Sequence, residues 1–237
     1  MDFSENDNLF NDKKFYHAVQ PIIRASTKNV FGYEALLRST DLHNPEEIFE
    51  HYKENDLLFH LDMSSIMEAC KGLKDIPNRK DSYLFINIFP STLINPDFLK
   101  QLHRLHSINK PSSIVFEINE DGKETNFSEI KHVVGELKHL GYLIALDDVG
   151  KGESSFKALL ELEPNIVKID RAYAKNLTET TKKQTMIQLI MQLFGNDVPV
   201  ILEGIETEDD FLTAKELGVP LMQGYYFGRP NQLQKYI

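Results

Sequence analysis

The chain has 237 residues, of which 41% are hydrophobic, so it is long enough to bury a sizeable core as one large domain or two small ones. Its formal net charge is -10 and it has no long basic run, which argues against binding to a DNA or RNA duplex and against a polybasic membrane patch. Its single cysteine, Cys70, excludes an intrachain disulfide and a multi-cysteine zinc site. We expect Cys70 to pack as a small buried hydrophobe, and a reactive thiol is the alternative.

The N-terminal residues lack the basic and apolar regions of a signal peptide. No apolar run approaches the length of about 18 residues that a membrane-spanning helix needs. We therefore expect a cytoplasmic protein without a membrane segment.

Short apolar segments alternate with longer segments of helical spacing along the whole chain. Strands are predicted at 16–22, 31–36, 84–89, 114–118, 143–146, 166–169, 198–202 and 222–227. Helices are predicted at 45–53, 57–73, 96–106, 128–140, 154–162, 181–193 and 208–217. This alternation, without a linker or a tandem repeat, predicts one α/β domain with a largely parallel sheet. Eight strands in this length favour a closed barrel over an open doubly wound sheet, and no Gly-x-Gly-x-x-Gly turn follows the first strand.

Polar side chains stand in or directly after seven of the predicted strands. They are Glu34, Asn87, Glu117, Asp147 with Asp148, Lys168 with Asp170, Glu203 and Gln223. A salt bridge inside a barrel or a hydrogen bond at its rim explains any one of them. Because the C-terminal ends of parallel barrel strands meet at one mouth, the seven together predict a single site there.

Asp147 and Asp148 follow the strand predicted at 143–146, and Gly150 and Gly152 then favour a tight turn. Successive strand residues face opposite sides, so both carboxylates are expected at the rim, where the strand ends. Two carboxylates about 4 Å apart repel by roughly 4 kcal/mol at an effective dielectric of about 20, unless a proton or a metal ion lies between them. The alternative is a solvated turn, in which aspartate is common.

The acids predicted at the mouth have one obvious cation, Lys168, so their negative charge requires divalent metal. All candidate ligands are oxygen atoms, and the eight histidines fall mostly on predicted helices, which favours Mg²⁺ or Mn²⁺ over Zn²⁺. Paired carboxylates beside further acids are typical of a two-metal cluster for in-line displacement at phosphorus.

These residues occur in an order that resembles the EAL-domain family of cyclic di-GMP phosphodiesterases, from about residue 16 to 230. The matching motifs are Glu34-Ala35-Leu36-Leu37-Arg38, Asn87, Glu117-Ile118-Asn119-Glu120, Asp147-Asp148-Val149-Gly150, Lys168-Ile169-Asp170, Glu203-Gly204-Ile205-Glu206 and Gln223-Gly224-Tyr225-Tyr226-Phe227. Seven motifs in order are much more specific than the first one alone.

The resemblance implies a TIM-like (β/α)8 barrel, modified with one antiparallel strand, in a single EAL domain over residues 1–237. Residues 1–14 are expected to form a flexible N-terminal extension. The implied activity is hydrolysis of cyclic di-GMP to linear pGpG with two Mg²⁺ or Mn²⁺ ions per site, with Ca²⁺ as an inhibitor. Cyclic di-GMP is the implied ligand, and a homodimer and a separate regulatory protein are compatible with the family.

By position, the resemblance also implies roles for twelve residues. The implied metal ligands are Glu34, Asn87, Glu117, Asp147 and Asp148. The implied catalytic residues are Lys168, which orients the attacking water, and Glu203, the general base. The residues implied to meet the ligand are Arg38 and Gln223, although an ordinary salt bridge at a strand end also explains Arg38. The supporting residues are Glu120, Asp170 and Glu206.

The chain departs from the usual family pattern at six positions, none of them an implied metal ligand. Val149, Lys151 and Glu153 stand where Phe, Thr and Tyr are usual, and Asn119, Phe89 and Leu202 stand where Thr, Ser and Ala are usual. Several of these departures lie in the loop after Asp148, and displacing a catalytic group by about 1 Å can lower the reaction rate on the order of 100-fold. A cyclic di-GMP receptor without turnover and a protein-interaction module therefore stay open beside the working enzyme, and the complete acidic set counts against the last.

Overall fold

A closed barrel of eight strands in chain order forms the centre of the computed structural model, which describes residues 15–41, 45–72, 82–106, 110–119, 127–151, 155–194 and 197–236. The strands are β1 (Phe15–Arg24), β2 (Val30–Ser39), β3 (Tyr83–Ile88), β4 (Ile114–Asn119), β5 (Leu143–Val149), β6 (Ile166–Ile169), β7 (Val200–Leu202) and β8 (Leu221–Gln223). The first strand, β1, is antiparallel to both of its neighbours, β2 and β8, and the pairs from β2 round to β8 are parallel. The predicted TIM-like barrel with one reversed strand is confirmed.

Helices connect the strands on the outside of the barrel. They are α1 (Pro45–Glu54), α2 (Leu58–Gly72), α3 (Pro90–Leu93), α4 (Phe98–His106), α5 (Phe127–His139), α6 (Ser155–Leu162), α7 (Thr181–Phe194) and α8 (Glu208–Glu216). All seven predicted helices are present, and the extra one is the single turn α3. This turn begins at Pro90, whose missing N–H suits the first position of a helix. In the part of the chain described, no helix combines the length and the apolar character needed to cross a bilayer.

Most predicted strands differ from the structure at one or both ends, and two of these differences bear on the site. The strand predicted at 143–146 continues as β5 to Val149, so Asp147 and Asp148 lie within it and not after it. The strand predicted at 222–227 ends at Gln223, because the chain turns at Gly224. A Cβ atom at Gly224 would lie 2.1 Å from the carbonyl oxygen of Ile205, so only glycine fits this close approach.

The inside of the barrel contains two layers of side chains. The lower one, called here the apolar layer, consists of Ile22, Phe31, Phe85, Val115, Ala145, Ile166, Ile201 and Leu221. Two residues further along β3 to β8 the side chains are polar, and they form the polar layer: Asn87, Glu117, Asp147, Lys168, Glu203 and Gln223. Because strand side chains alternate with a period of two, residues two apart face the same side of the sheet. The fold therefore places a polar layer directly above an apolar one, toward the mouth of the barrel.

The opposite faces of these strands pack against the helices. Ile86, Phe116 and Leu146, which alternate with the interior residues, belong to a large core that also contains Cys70. Cys70 is thus a buried packing residue, as expected from the sequence.

Replacing Phe85 by alanine is expected to lower the free energy of unfolding by about 3–5 kcal/mol, because it opens a cavity in the apolar layer. Phe85 is fully buried, whereas Leu160 on α6 is 79% exposed. Leu160→Ala is therefore the matched control and should change stability by less than about 0.5 kcal/mol. Urea unfolding of both variants measures the difference, and equal effects would show that the apolar layer is not tightly packed.

Candidate active site at the mouth of the barrel

Lys168 lies at the centre of the polar layer, with none of its side chain exposed to solvent. Its Nζ atom is 2.6 Å from Glu203 Oε1, 2.7 Å from Glu117 Oε1, 3.1 Å from Asp147 Oδ1 and 3.7 Å from Glu34 Oε2. These carboxylates come from β2, β4, β5 and the residue after β7, so only the closed barrel brings them together. One ammonium group surrounded by four carboxylates leaves an excess of negative charge in a buried space.

The pKa values follow from this crowding. Burial raises the pKa of the Glu203 carboxyl to about 8. Attraction to Lys168 acts to lower this pKa, and repulsion from Asp147 and Glu34 acts to raise it. Burial, followed by repulsion from Glu34, raises the pKa of Glu117 well above its usual range. Burial alone lowers the pKa of Lys168, but the surrounding carboxylates outweigh it and raise that pKa well above its usual range. Lys168 therefore stays charged, while Glu117 and Glu203 beside it tend to hold protons.

Two amide side chains orient Glu34. Asn87 Nδ2 donates to Glu34 Oε1 at 3.1 Å, and Gln223 Nε2 donates to Glu34 Oε2 at 2.6 Å. Burial works to raise the pKa of Glu34, but Lys168 and these two hydrogen bonds outweigh it and hold that pKa below its usual range. Glu34 is thus ionised, with both oxygens fixed in direction.

A β-bulge in β5 explains how two adjacent acids share one site. The pairing of β5 with β6 shifts by one residue between Leu146 and Val149, and Asp148 has a left-handed backbone with φ of 54°. Oxygen atoms of Asp147, Asp148 and Glu203 consequently lie within 4.8 Å of one another. The predicted end of the strand at 146 was wrong, because β5 continues to Val149, and the bulge lets the two adjacent carboxylates share one site within the strand.

Asp148 also contacts two residues at which the chain departs from the family pattern. Lys151 Nζ is 3.1 Å from Asp148 Oδ2, and Asn119 Nδ2 donates to the same oxygen at 3.4 Å. The carboxylate of Asp148 is therefore held by two donors, Lys151 and Asn119, that stand where the family usually has other residues.

The residues of the site fit a divalent cation. Glu117 Oε2 is buried and accepts no hydrogen bond from the residues that the structure describes. Among the residues that the structure describes, five carboxylates face two ammonium groups, those of Lys168 and Lys151, which leaves three formal negative charges when all five acids are ionised. The donors are oxygens of carboxylate and amide groups, which hard cations such as Mg²⁺ and Mn²⁺ prefer.

An open cleft of about 1160 Å³ lies above the polar layer. Its volume exceeds the range of about 300–1,000 Å³ that is typical of small-molecule sites. The predicted site residues that line it are Glu34, Arg38, Asn87, Asp148, Asp170, Glu203 and Glu206. The predicted site residues outside that lining, all in the polar layer, are Glu117, Asp147, Lys168 and Gln223. Glu120, predicted as a supporting residue, lies outside the described residues.

The two residues implied to meet a ligand lie in different places. Arg38 lines the cleft, donates to the backbone carbonyl of Leu37 at 2.8 Å, and is paired with no carboxylate of the described residues. Gln223 is only 3% exposed and donates to Glu34 and to Gln20 Oε1. Arg38 is therefore placed to reach a bound molecule, whereas Gln223 is placed to hold Glu34.

Two residues that support the site, Gln20 and Asp62, were missed in the sequence, as was Arg171, which lines the cleft. Gln20 on β1 accepts from Gln223 at 3.1 Å and donates through Nε2 to the carbonyl oxygen of Gly228 at 2.9 Å. Asp62 on α2 lines the cleft and accepts the N–H of Phe89 at 2.9 Å, next to the turn that begins α3. Gln20 carried the same signal as the predicted residues, a polar side chain inside an apolar strand. Asp62 carried a weaker one, an acid between the apolar residues of a helix.

Replacing Gln20 by leucine should lower the free energy of unfolding by about 1–3 kcal/mol, because it removes the partner of the buried Gln223 amide and of the part-buried Gly228 carbonyl. Gln188 on α7 is exposed, so Gln188→Leu serves as the control and should change stability by less than about 0.5 kcal/mol. Chemical unfolding of the metal-free proteins provides the measurement. If Gln20→Leu unfolds like the wild type, the amide chain does not support the site.

Asp62 gives an expected pH dependence of stability. Burial raises the pKa of its carboxyl to about 7, so the folded protein binds a proton there that the unfolded chain has released above about pH 4. This contribution to stability is present at low pH and is lost as the pH rises through 7. Between pH 5.5 and 8 the wild type should lose about 2 kcal/mol relative to Asp62→Asn, which has no titrating proton there. Urea unfolding of both proteins at the two pH values, in chelator, tests this, and a constant difference would contradict it.

Sequence comparison identifies related proteins. The EAL domain profile matches residues 5–230. The chain is 30% identical over 223 residues to the cyclic di-GMP phosphodiesterase TpdA of Vibrio parahaemolyticus, covering 92% of this chain and 38% of TpdA. It is 25% identical over 243 residues to the probable cyclic di-GMP phosphodiesterase PdeD of Escherichia coli (strain K12), covering 100% of this chain and 45% of PdeD. The chain thus spans less than half the length of these curated relatives.

Solved structures show the same fold. The EAL enzyme Bd1971, with cAMP and cyclic di-GMP bound, superposes with a TM-score of 0.84 at 27% identity, over 96% of this chain and 65% of that protein. BlrP1 of Klebsiella pneumoniae, in a complex with manganese and cyclic di-GMP, gives 0.84 at 27% identity, over 92% of this chain and 56% of BlrP1. A calcium complex of BlrP1 with cyclic di-GMP gives 0.85 at 26% identity, over 98% of this chain and 58% of BlrP1. Since the profile covers most of the sequence and the barrel agrees with these structures, the chain belongs to the EAL domain family.

Proposed function

We propose that the chain is a cyclic di-GMP phosphodiesterase, which hydrolyses one phosphodiester bond of its substrate to give linear pGpG. The observation that carries the proposal is the convergence on Lys168 of carboxylates from three strands and from the residue after a fourth, at the floor of an open cleft. The names of the relatives and the cyclic di-GMP in the similar structures support the choice of substrate.

Basic side chains in the cleft suit a ligand with two phosphates. The described lining includes Arg38, Lys151, Arg171 and Lys175. The guanidinium group of Arg38 offers a planar fork of donors that matches phosphate oxygens. Arg38 and Arg171 are the residues that we assign to phosphate binding.

Two Mg²⁺ or Mn²⁺ ions are the proposed cofactors, in line with the manganese in the similar BlrP1 complex. The residues that would hold the first ion are Glu34, Asn87, Glu117 and Asp147, and those for the second are Asp147 and Asp148. When bound, such ions neutralise developing charge on the phosphate and make water more acidic.

The chain's own residues then have distinct roles in hydrolysis. Lys168, which stays charged, orients the attacking water against the phosphorus. Glu203 lines the cleft, with Oε1 2.6 Å from Lys168 Nζ, so in its carboxylate form it is placed to take the proton of that water. As the new bond from the water oxygen to phosphorus forms, the bond from phosphorus to one ribose oxygen breaks. That ribose oxygen takes up a proton, and Glu203 gives its own back to solvent.

One observation favours a second candidate, a receptor that binds cyclic di-GMP without turnover. The ion pair of Lys151 with Asp148 lies where the second metal ion is proposed. If the ammonium group cannot leave Asp148, the cleft still binds the nucleotide but lacks the second of the two metal ions proposed for catalysis.

The proposal is tested by incubating the purified protein with cyclic di-GMP and Mg²⁺ or Mn²⁺ and measuring pGpG by chromatography. Glu34→Ala and Glu203→Ala should each lower kcat by roughly 100-fold or more, since one removes a metal ligand and the other the base. Glu136 on α5 is exposed, so Glu136→Ala is the matched control and should retain full activity.

Two other results would replace this proposal. Tight binding of cyclic di-GMP with Ca²⁺, but no pGpG with Mg²⁺ or Mn²⁺, would establish the receptor. Product formation that persists in both Glu34→Ala and Glu203→Ala would show that the reaction takes place elsewhere.

A further inference from the structure

Asp148 differs from the other acids of the site in its partners. Glu34, Glu117, Asp147 and Glu203 face the buried Lys168, whereas Asp148 Oδ2 contacts Lys151 Nζ at 3.1 Å and Asn119 Nδ2 at 3.4 Å. Both donors stand at positions where the chain departs from the family pattern. Among the described residues, two lysines therefore form ion pairs with the acids of the site: Lys168 is buried among them, and Lys151 lies at the outer edge.

The backbone holds Lys151 close to Asp148. The N–H of Lys151 donates to the carbonyl oxygen of Asp148 at 3.1 Å, which closes a tight turn. The hydroxyl of Tyr173 donates to the carbonyl oxygen of Gly150 at 3.1 Å, in the middle of this turn. A Cβ atom at Gly150 would lie 2.7 Å from the Tyr173 ring, and its φ of 97° favours glycine. Because the turn is fixed, the ammonium group meets Asp148 as an intramolecular partner at high effective concentration.

Charge balance shows which cation the lysine opposes. With Lys151 in place the site has three formal negative charges, so a first divalent ion leaves one negative charge and a second ion leaves one positive charge. Without the Lys151 ammonium, two divalent ions make the site neutral. The ammonium group lies on Asp148, the residue proposed for the second ion only, and so it acts mainly against that ion.

We infer that Lys151, assisted by Asn119, occupies the Asp148 oxygen on which a second divalent cation binds, so that the site takes one cation tightly and a second weakly. This inference rests on the metal site of the proposed function. The Lys151 side chain is 52% exposed, so it can swing into solvent when the second ion enters. The lysine is therefore a competitor of the second ion and not a permanent block, and the concentration of free divalent cation sets how far the second position is filled.

The test is a titration of the metal-free full chain with Mn²⁺ at constant ionic strength, with free Mn²⁺ followed by electron paramagnetic resonance. We expect two classes of site in the wild type. Lys151→Met keeps the length of the side chain but removes the charge, so it should tighten the weak class by about three- to tenfold. The tight class should change by less than about twofold, because its ligands lie around Lys168.

Three variants make the result specific. Lys175 lines the same cleft, so Lys175→Met removes the same charge away from Asp148 and should leave both classes within about twofold of the wild type. Lys151→Arg keeps the charge and should resemble the wild type. Lys151→Gln replaces Lys151→Met if thermal unfolding shows that the latter is not folded.

The inference is wrong if the weak class is unchanged in Lys151→Met, if Lys175→Met tightens it equally, or if the wild type binds two Mn²⁺ ions with equal affinity. Since no nucleotide is present, the outcome is separate from the proposed activity. Mn²⁺ binding of the expected form without pGpG production would overturn the phosphodiesterase and keep the inference. Production of pGpG with an unchanged weak class would do the reverse, and no Mn²⁺ binding would overturn both.

Discussion

A single buried ammonium group, that of Lys168, determines how the mouth of this barrel is built. Four carboxylates lie within 4 Å of it, and removing the lysine from such a buried arrangement leaves uncompensated charge at a cost of about 3–5 kcal/mol. The acids therefore depend on the lysine and the lysine on the acids. The remaining negative charge attracts divalent cations. The same arrangement of charges that orders the site therefore also favours metal binding.

The two interior layers divide stability from chemistry. The apolar layer fills the lower part of the barrel with apolar side chains such as Phe85, and its packing depends on neither solvent nor metal. The polar layer above it lies at the C-terminal ends of the strands, where loops open into the cleft. Buried amides complete this layer, because Asn87 and Gln223 fix both oxygens of Glu34, and Gln20 fixes Gln223. Both oxygens of Glu34 are thus held in direction by amide donors, one of which is itself held by Gln20.

The bulge at Asp148 interrupts the regular pairing of β5 with β6. A left-handed aspartate is tolerated because its short side chain makes local hydrogen bonds, and it turns a second carboxylate toward the site. The same turn also brings Lys151 onto that carboxylate, so one local backbone feature places both the acid and the ammonium group that pairs with it. In the proposed competition, this ammonium group would set the cation concentration at which the second position fills, and it would leave the ligands around Lys168 unchanged.

The sequence by itself determined the eight strands and seven helices, the barrel, and the residues of the polar layer, because alternation of apolar and polar residues is a local pattern that survives folding. Only the tertiary structure decided which polar atoms meet. The bulge at Asp148, the direction of Gln223 toward Glu34 and the contact of Asp62 with Phe89 depend on registers and packing between distant segments. The alternation of apolar and polar residues predicts which face of the sheet a side chain lies on. The distances between charged groups depend on how the strands pair to close the barrel.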